Sequence, residues 1–161
     1  METAQPLPMD RDRCSVARTL QFAGDRWTLL ILREVSFYGV CRFERLHERL
    51  GISRAVLSER LERLVEEGII ERAPYRPQGE RARSEYRLSP AGEDLFPLLV
   101  AFMRWGDRYR NDGRAPVIVR HRGCGEPVDV LLTCAAGHPV ARDDVEPHLG
   151  PGAGAVRAER R

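Results

Sequence analysis

A mainly helical α+β fold is what this sequence predicts: a winged helix-turn-helix with dimerisation helices at its N- and C-terminal ends and a small C-terminal β-hairpin extension. Three observations between Arg42 and Arg87 carry it. First, Phe43, Leu46 and Leu50 recur at i, i+3 and i+7 with charges between them, an amphipathic helix that Gly51 stops. Second, after only Gly51-Ile52, Ser53 stands as an N-cap and Leu57, Leu61 and Leu64 repeat at helical spacing until Gly68. So short a connection forces a sharp crossing and turns the outer face of the second helix away from the core. Third, Ile69-Ile70-Glu71-Arg72 and Glu85-Tyr86-Arg87-Leu88 read as two strands around a tip containing Arg76, Pro77, Gly79, Arg81 and Arg83, a basic wing. Singly, each has a plain alternative: helical corners fill many all-α cores, and an arginine-bearing hairpin tip is often merely solvated. Their ordered occurrence within fifty residues favours the winged corner.

The other elements follow in order. Cys14 to Ala23 and Arg26 to Val35 read as helices broken at Gly24-Asp25, with Trp27 as a core anchor. Ser89-Pro90 opens a helix expected to run to Arg110, serine as cap and proline at the first position. Its stripe of Leu95, Leu98, Leu99, Phe102, Trp105 and Tyr109 asks for a partner, and pairing with a second copy is the simplest; closing an intramolecular core is the alternative. Pro97 is expected to bend this helix. Beyond Ala115, Val117-Ile118-Val119 and Val128 to Leu132 look like strands flanking a turn at His121 to Gly125. The expected division is therefore a disordered arm 1–13, the winged domain 14–112, a small β-rich extension 113–149 and a disordered tail 150–161.

Composition narrows the classes. At 161 residues and 42% apolar content, one domain with some trailing chain is natural. A formal charge of +2 does not by itself argue for nucleic acid, so the case rests on where arginines cluster. All 26 basic residues are Arg, for which arginine-rich codon usage is the preferred explanation, although guanidinium forks also suit phosphate and guanine. The N-terminus lacks a signal-peptide core, and no segment reaches the ~18 apolar residues that span a bilayer, so a cytoplasmic protein without membrane contact is expected. There, Cys14, Cys41, Cys124 and Cys134 read as buried residues, redox thiols or metal ligands rather than disulfides.

At this point a resemblance enters. Cys14, the run Gly24-Asp25-Arg26-Trp27-Thr28-Leu29-Leu30-Ile31-Leu32-Arg33-Glu34, Arg42-Phe43, Gly51-Ile52-Ser53, Val56-Leu57-Ser58-Glu59-Arg60-Leu61, Glu67-Gly68-Ile69-Ile70-Glu71-Arg72, Tyr86-Arg87-Leu88-Ser89-Pro90-Ala91-Gly92 and Trp105 together resemble the HxlR-type winged helix-turn-helix regulators of bacteria, relatives of the MarR group. The resemblance covers Cys14 to Tyr109 and implies a dimeric, DNA-binding transcription factor without catalytic activity, bound to a double-stranded operator. With Leu57, Leu61 and Leu64 inward, ~100° per residue turns Ala55, Ser58, Glu59 and Glu62 outward. Base reading is then expected from Arg54, Ala55, Ser58 and Glu59: Arg forks onto guanine, Glu accepts from cytosine, Ala touches a thymine methyl. Arg42, Arg60 and Arg63 are expected on phosphates or bracing the corner, and Arg76, Arg81 and Arg83 on backbone or minor groove. Glu59 and Glu62 have a second reading as partners of neighbouring arginines.

Two sensor candidates remain. Cys14 sits at a helix start near Arg11, Arg13 and Arg18, surroundings that favour thiolate, and some regulators of the resembling type use a cysteine there against electrophiles or oxidants; plain packing in a dimer seam is the equal alternative. His121-x2-Cys124 and Cys134-x3-His138 offer four nitrogen and sulfur donors, yet Gly137 stands where a zinc ribbon wants its second cysteine, so no cofactor is expected and zinc is the minority reading. The expected function is a sequence-specific repressor answering an electrophile, an oxidant or a small metabolite. The alternative is a winged-helix module that binds protein, and an enzyme is not expected.

Overall fold

The computed structural model describes residues 11–75 and 83–153. The outer parts of the expected arm and tail, 1–10 and 154–161, and the wing tip 76–82 with Arg76 and Arg81 lie outside the described residues. The chain divides into two compact units, one running Asp25–Val130 and the other drawn from Met1–Gly24 and Leu131–Arg161.

In the larger unit, Asp25 caps helix α2 (Arg26–Tyr38), its carboxylate accepting from the backbone N–H of Trp27 at 2.9 Å and Thr28 at 3.1 Å. Helix α3 (Phe43–Leu50) ends at Gly51, whose φ of 63° is the left-handed conformation the sharp turn demands. Helix α4 (Arg54–Glu66) begins after Ser53, whose hydroxyl accepts from Val56 N–H at 3.3 Å. Leu57, Leu61 and Leu64 are buried as their spacing requires, in the same core as Ile31 and Leu32 of α2 and Leu46 of α3. Fully burying each such side chain contributes roughly 1.5–3 kcal/mol. Trp27 is not the anchor expected of it: it is half-buried beneath the Arg26 guanidinium, 4.3 Å from its ring, and Thr28, Ile31, Leu32 and Val35 face the core instead.

Strands β1 (Ile70–Tyr75) and β2 (Arg83–Leu88) pair antiparallel with Ile70 opposite Leu88 and Tyr75 opposite Arg83, so the hairpin extends further toward its tip than the sequence suggested. Tyr86 N–H also donates to the Cys41 carbonyl at 2.7 Å, and Arg42 bridges Glu85, which ties the wing root to the start of α3. At that root the Ser89 hydroxyl lies 2.6 Å from the Gly68 carbonyl and 3.1 Å from that of Ile69, and it accepts from Gly92 N–H at 3.2 Å.

The expected long helix from Ser89 is two helices, α5 (Pro90–Glu93) and α6 (Phe96–Arg110), separated at Asp94-Leu95. Pro97 explains the break. Inside a continuous helix its ring would clash with the carbonyl four residues back and its missing N–H would cost a bond; in the first turn of α6 neither problem arises. Beyond α6 the expected strands reduce to single bridges, Arg120 with Pro127 in this unit and Thr133 with Pro139 in the other. Almost everything from 120 to 153 is exposed, so no core is available to hold longer strands there.

The smaller unit contains helix α1 (Ser15–Ala23), with Cys14 as its N-cap residue and Val16 and Leu20 exposed.

Candidate nucleic-acid interface

The first two turns of α4 bring Arg54, Ala55, Ser58 and Glu59 together on one outward face; Arg54, Ala55 and Glu59 are exposed and Ser58 is half-buried. Arg54 forks onto the Glu44 carboxylate through both terminal nitrogens, at 2.8 and 2.6 Å, and this hydrogen-bonded charge raises its pKa above the ordinary arginine value. The guanidinium also lies over Phe43, 5.8 Å from the ring centre. Both terminal nitrogens of the Arg54 fork are thus occupied by one carboxylate. The Ser58 hydroxyl donates to Glu62 at 3.3 Å, so Glu62 serves its own helix.

Arg60 does not share this face. It is three-quarters covered, 3.2 Å from Asp25 and 2.9 Å from Glu59, and braces α4 against the start of α2. For Asp25, burial alone would raise the carboxyl pKa, but hydrogen bonds from the Thr28 hydroxyl and backbone, the charge of Arg60 and the Trp27 N–H outweigh it and hold it below the ordinary carboxylate value. Arg63 is half-buried farther along α4, and Arg42 is exposed at the start of α3. On the wing, Arg72 donates to the Ser84 hydroxyl at 2.8 Å, and Arg83 opens β2. Sequence reasoning missed Glu44 and Asp25. Asp25 was legible as a polar residue before an apolar run, whereas nothing in the sequence marked Glu44 as the partner of a residue ten positions on.

Below the corner, Glu34 is buried and ion-paired with Arg33 at 2.5 Å and with Arg49, joining α2 to α3. Along α6, the expected apolar stripe divides. Leu99 is 7% exposed and belongs to this chain's own core, while Leu98, Phe102, Trp105 and Tyr109 stay exposed; Leu95 is half-buried in the break before α6. Between α2 and α6 lies a cleft of about 340 Å³ lined by Leu30, Phe37, Phe102 and Met103 with Asp107 at its edge.

Cys14 is half-buried, and Cys41 is half-buried with its thiol 3.8 Å from Glu85. Cys124 and Cys134 are exposed, each beside a histidine of its own turn: His121 Nδ1 is 3.2 Å from Cys124 Sγ, and His138 Nδ1 is 3.6 Å from Cys134 Sγ. Backbone N–H groups of His138 and Ala136, then of Cys134 and Gly137, hold the Cys134 thiol below its ordinary pKa. Among the described residues no three His, Cys, Asp or Glu side chains are already gathered as an ion cage, and no helix is long and apolar enough to cross a membrane.

Comparison with known proteins agrees with this fold. The chain is 49% identical over 141 residues to Rv3095 of Mycobacterium tuberculosis, an uncharacterised HTH-type transcriptional regulator, across 86% of this chain and 87% of that one. PA1607, a candidate transcription factor known from its crystal structure, superposes with a TM-score of 0.73 at 36% identity, covering 86% of this chain and 96% of PA1607. The redox regulator HypR in its oxidised form gives 0.51 at 25% identity over 60% of this chain and 98% of HypR. A family model described as HxlR-like helix-turn-helix matches residues 22–114, so the corner, the wing and α6 all fall within it. The chain belongs to the HxlR-like helix-turn-helix family of transcriptional regulators.

Proposed function

We propose that this regulator is a sequence-specific repressor that acts as a homodimer, each copy placing the start of α4 in a major groove and its wing against the neighbouring backbone. The observation that carries this reading is the outward face of α4: Arg54, Ala55 and Glu59 stand exposed in the first two turns, the part of a recognition helix that reaches base edges. The exposed apolar face of α6 supports pairing with a second copy, and twofold pairing suits a palindromic site with half-sites about 34–36 Å apart. Release from DNA is assigned to chemical modification of Cys14, in keeping with the likeness to a redox regulator. A small apolar metabolite in the α2–α6 cleft is the second route.

The test is operator selection from random duplexes followed by titration of Arg54→Ala and Arg83→Ala. Loss of Arg54 should cost roughly 5- to 150-fold on the selected site and little on random DNA. Loss of Arg83 should weaken both alike and make the salt slope shallower by about one. Equal losses on both DNAs for Arg54→Ala refute the assignment of α4. Failure to enrich any sequence favours the protein-binding alternative.

A further inference from the structure

Arg54 is held at its outer end by the first turn of α3. The Glu44 carboxylate meets it end-on, one oxygen on each terminal nitrogen at 2.8 and 2.6 Å, and the Phe43 ring centre lies 5.8 Å from the guanidinium carbon. Such a pairing fixes the plane of the guanidinium while using only the edge between its two terminal nitrogens. The side edge, Nε–H with the terminal N–H beside it, is a second planar fork, and among the described residues nothing accepts from that Nε. A fork of this kind matches the O6 and N7 acceptors of guanine.

The pair has little to do as a brace. Glu44 and Arg54 keep 48% and 60% of their side-chain surface exposed, and an ion pair so open to water contributes little to stability. The crossing of α3 and α4 is held instead by Leu46, Leu57 and Leu61, each fully buried.

The effect on DNA binding is larger. Glu44 is exposed beside the outward face of α4, where an unneutralised carboxylate would repel every phosphate, in an operator or out of it. Paired, Glu44 and Arg54 carry no net charge, so Arg54 brings little attraction to random DNA. An arginine neutralised in this way adds affinity chiefly where a base edge meets its remaining fork. That favours one sequence over the rest without tightening the hold on all of them.

We propose that Glu44 is a specificity-determining positioning residue, which holds the Arg54 fork for guanine and withdraws the Arg54 charge from binding to any duplex. This role rests on the base reading proposed above for Arg54.

Full-length protein is titrated with the selected operator and with a random duplex over a range of salt. The forms compared are wild type, Glu44→Ala, the near-isosteric Glu44→Gln, Arg54→Ala, and Glu44→Ala combined with Arg54→Ala. Either Glu44 substitution should tighten binding to random DNA, steepen its salt slope by about one and lower the ratio of operator to random affinity roughly tenfold. On the Arg54→Ala background, Glu44→Ala should leave that ratio where Arg54→Ala alone puts it. Thermal unfolding followed by circular dichroism should give midpoints close to wild type for both Glu44 variants, because the pair is exposed. A ratio unmoved by both Glu44 substitutions, while Arg54→Ala loses the operator selectively, overturns the positioning role and leaves the reading of α4 standing. A ratio that falls as far with Arg54 absent overturns it too, since Glu44 would then act alone. Equal losses on both DNAs for Arg54→Ala, or no operator to select, overturn both.

Discussion

Trp105→Ser tests whether α6 is the seam between two copies. Trp105 is 52% exposed within the chain. Since a tryptophan presents up to about 250 Å², about 130 Å² of it remains to be covered, worth roughly 3 kcal/mol per chain at 25 cal/mol per Å². Two copies double this to about 6 kcal/mol if covering were complete. Half of that, about 3 kcal/mol, already raises the dimer Kd roughly 150-fold. Within its own chain the ring meets Tyr109 at 5.5 Å between ring centres and the Arg110 guanidinium at 5.2 Å, both exposed on the same helix, so the monomer fold should survive the substitution. Sedimentation equilibrium from nanomolar to ten micromolar, with circular dichroism alongside, reads both quantities. A wild type that stays monomeric throughout, or a dimer whose Kd is unmoved by Trp105→Ser and by Phe102→Ser, refutes the reasoning. Leu99→Asp is the contrasting control: it puts a charge into this chain's own core and should unfold the monomer.

Asp25→Ala should cost about 1 kcal/mol of stability at neutral pH through loss of the α2 cap. Because the folded carboxyl pKa is lowered, the contribution is whole above the ordinary value of 3.8 and is lost as pH falls through the folded one. Urea unfolding at pH 7 and near pH 3 should therefore show the gap between wild type and variant closing in acid, and a gap independent of pH would contradict it. If Cys14 is the chemical sensor, treatment with diamide or a quinone should lower operator affinity at least tenfold in wild type and leave Cys14→Ser unchanged; release from the variant, or retained affinity with Cys14 fully modified, would make the thiol structural.

What the sequence made legible was whatever rests on local chemistry. Ser53 and Gly51 announced the corner because a cap and a left-handed turn are properties of single residues, and Leu57, Leu61 and Leu64 announced the buried face of α4 by spacing alone. The break before α6 was also written in the sequence, since Pro97 cannot stand in the interior of a helix begun at Pro90; reading it as a bend misjudged the cost. Long-range choices were not legible. Leu98 and Leu99 are adjacent in one apolar stripe, yet only the position of α2 decides that Leu99 is inside and Leu98 outside. The Arg54–Glu44 fork likewise depends on how α3 crosses α4, and helical periodicity contains no trace of it. The valine-rich runs after Ala115 failed as strands because β-propensity needs a packed face, and none is available there.

The Ser89 hydroxyl at the wing root has a mechanical meaning. One oxygen closes the end of the segment leaving α4, caps α5 and sits against the first strand of the wing, and Gly92 beside it approaches Ile69 so closely that a Cβ would stand 2.2 Å from the Ile69 carbonyl. Bending at this joint would break several buried hydrogen bonds at once, so it transmits torque rather than absorbing it. Force applied at α5 is therefore expected to carry the end of α4 and the root of the wing with it as one stiff arm.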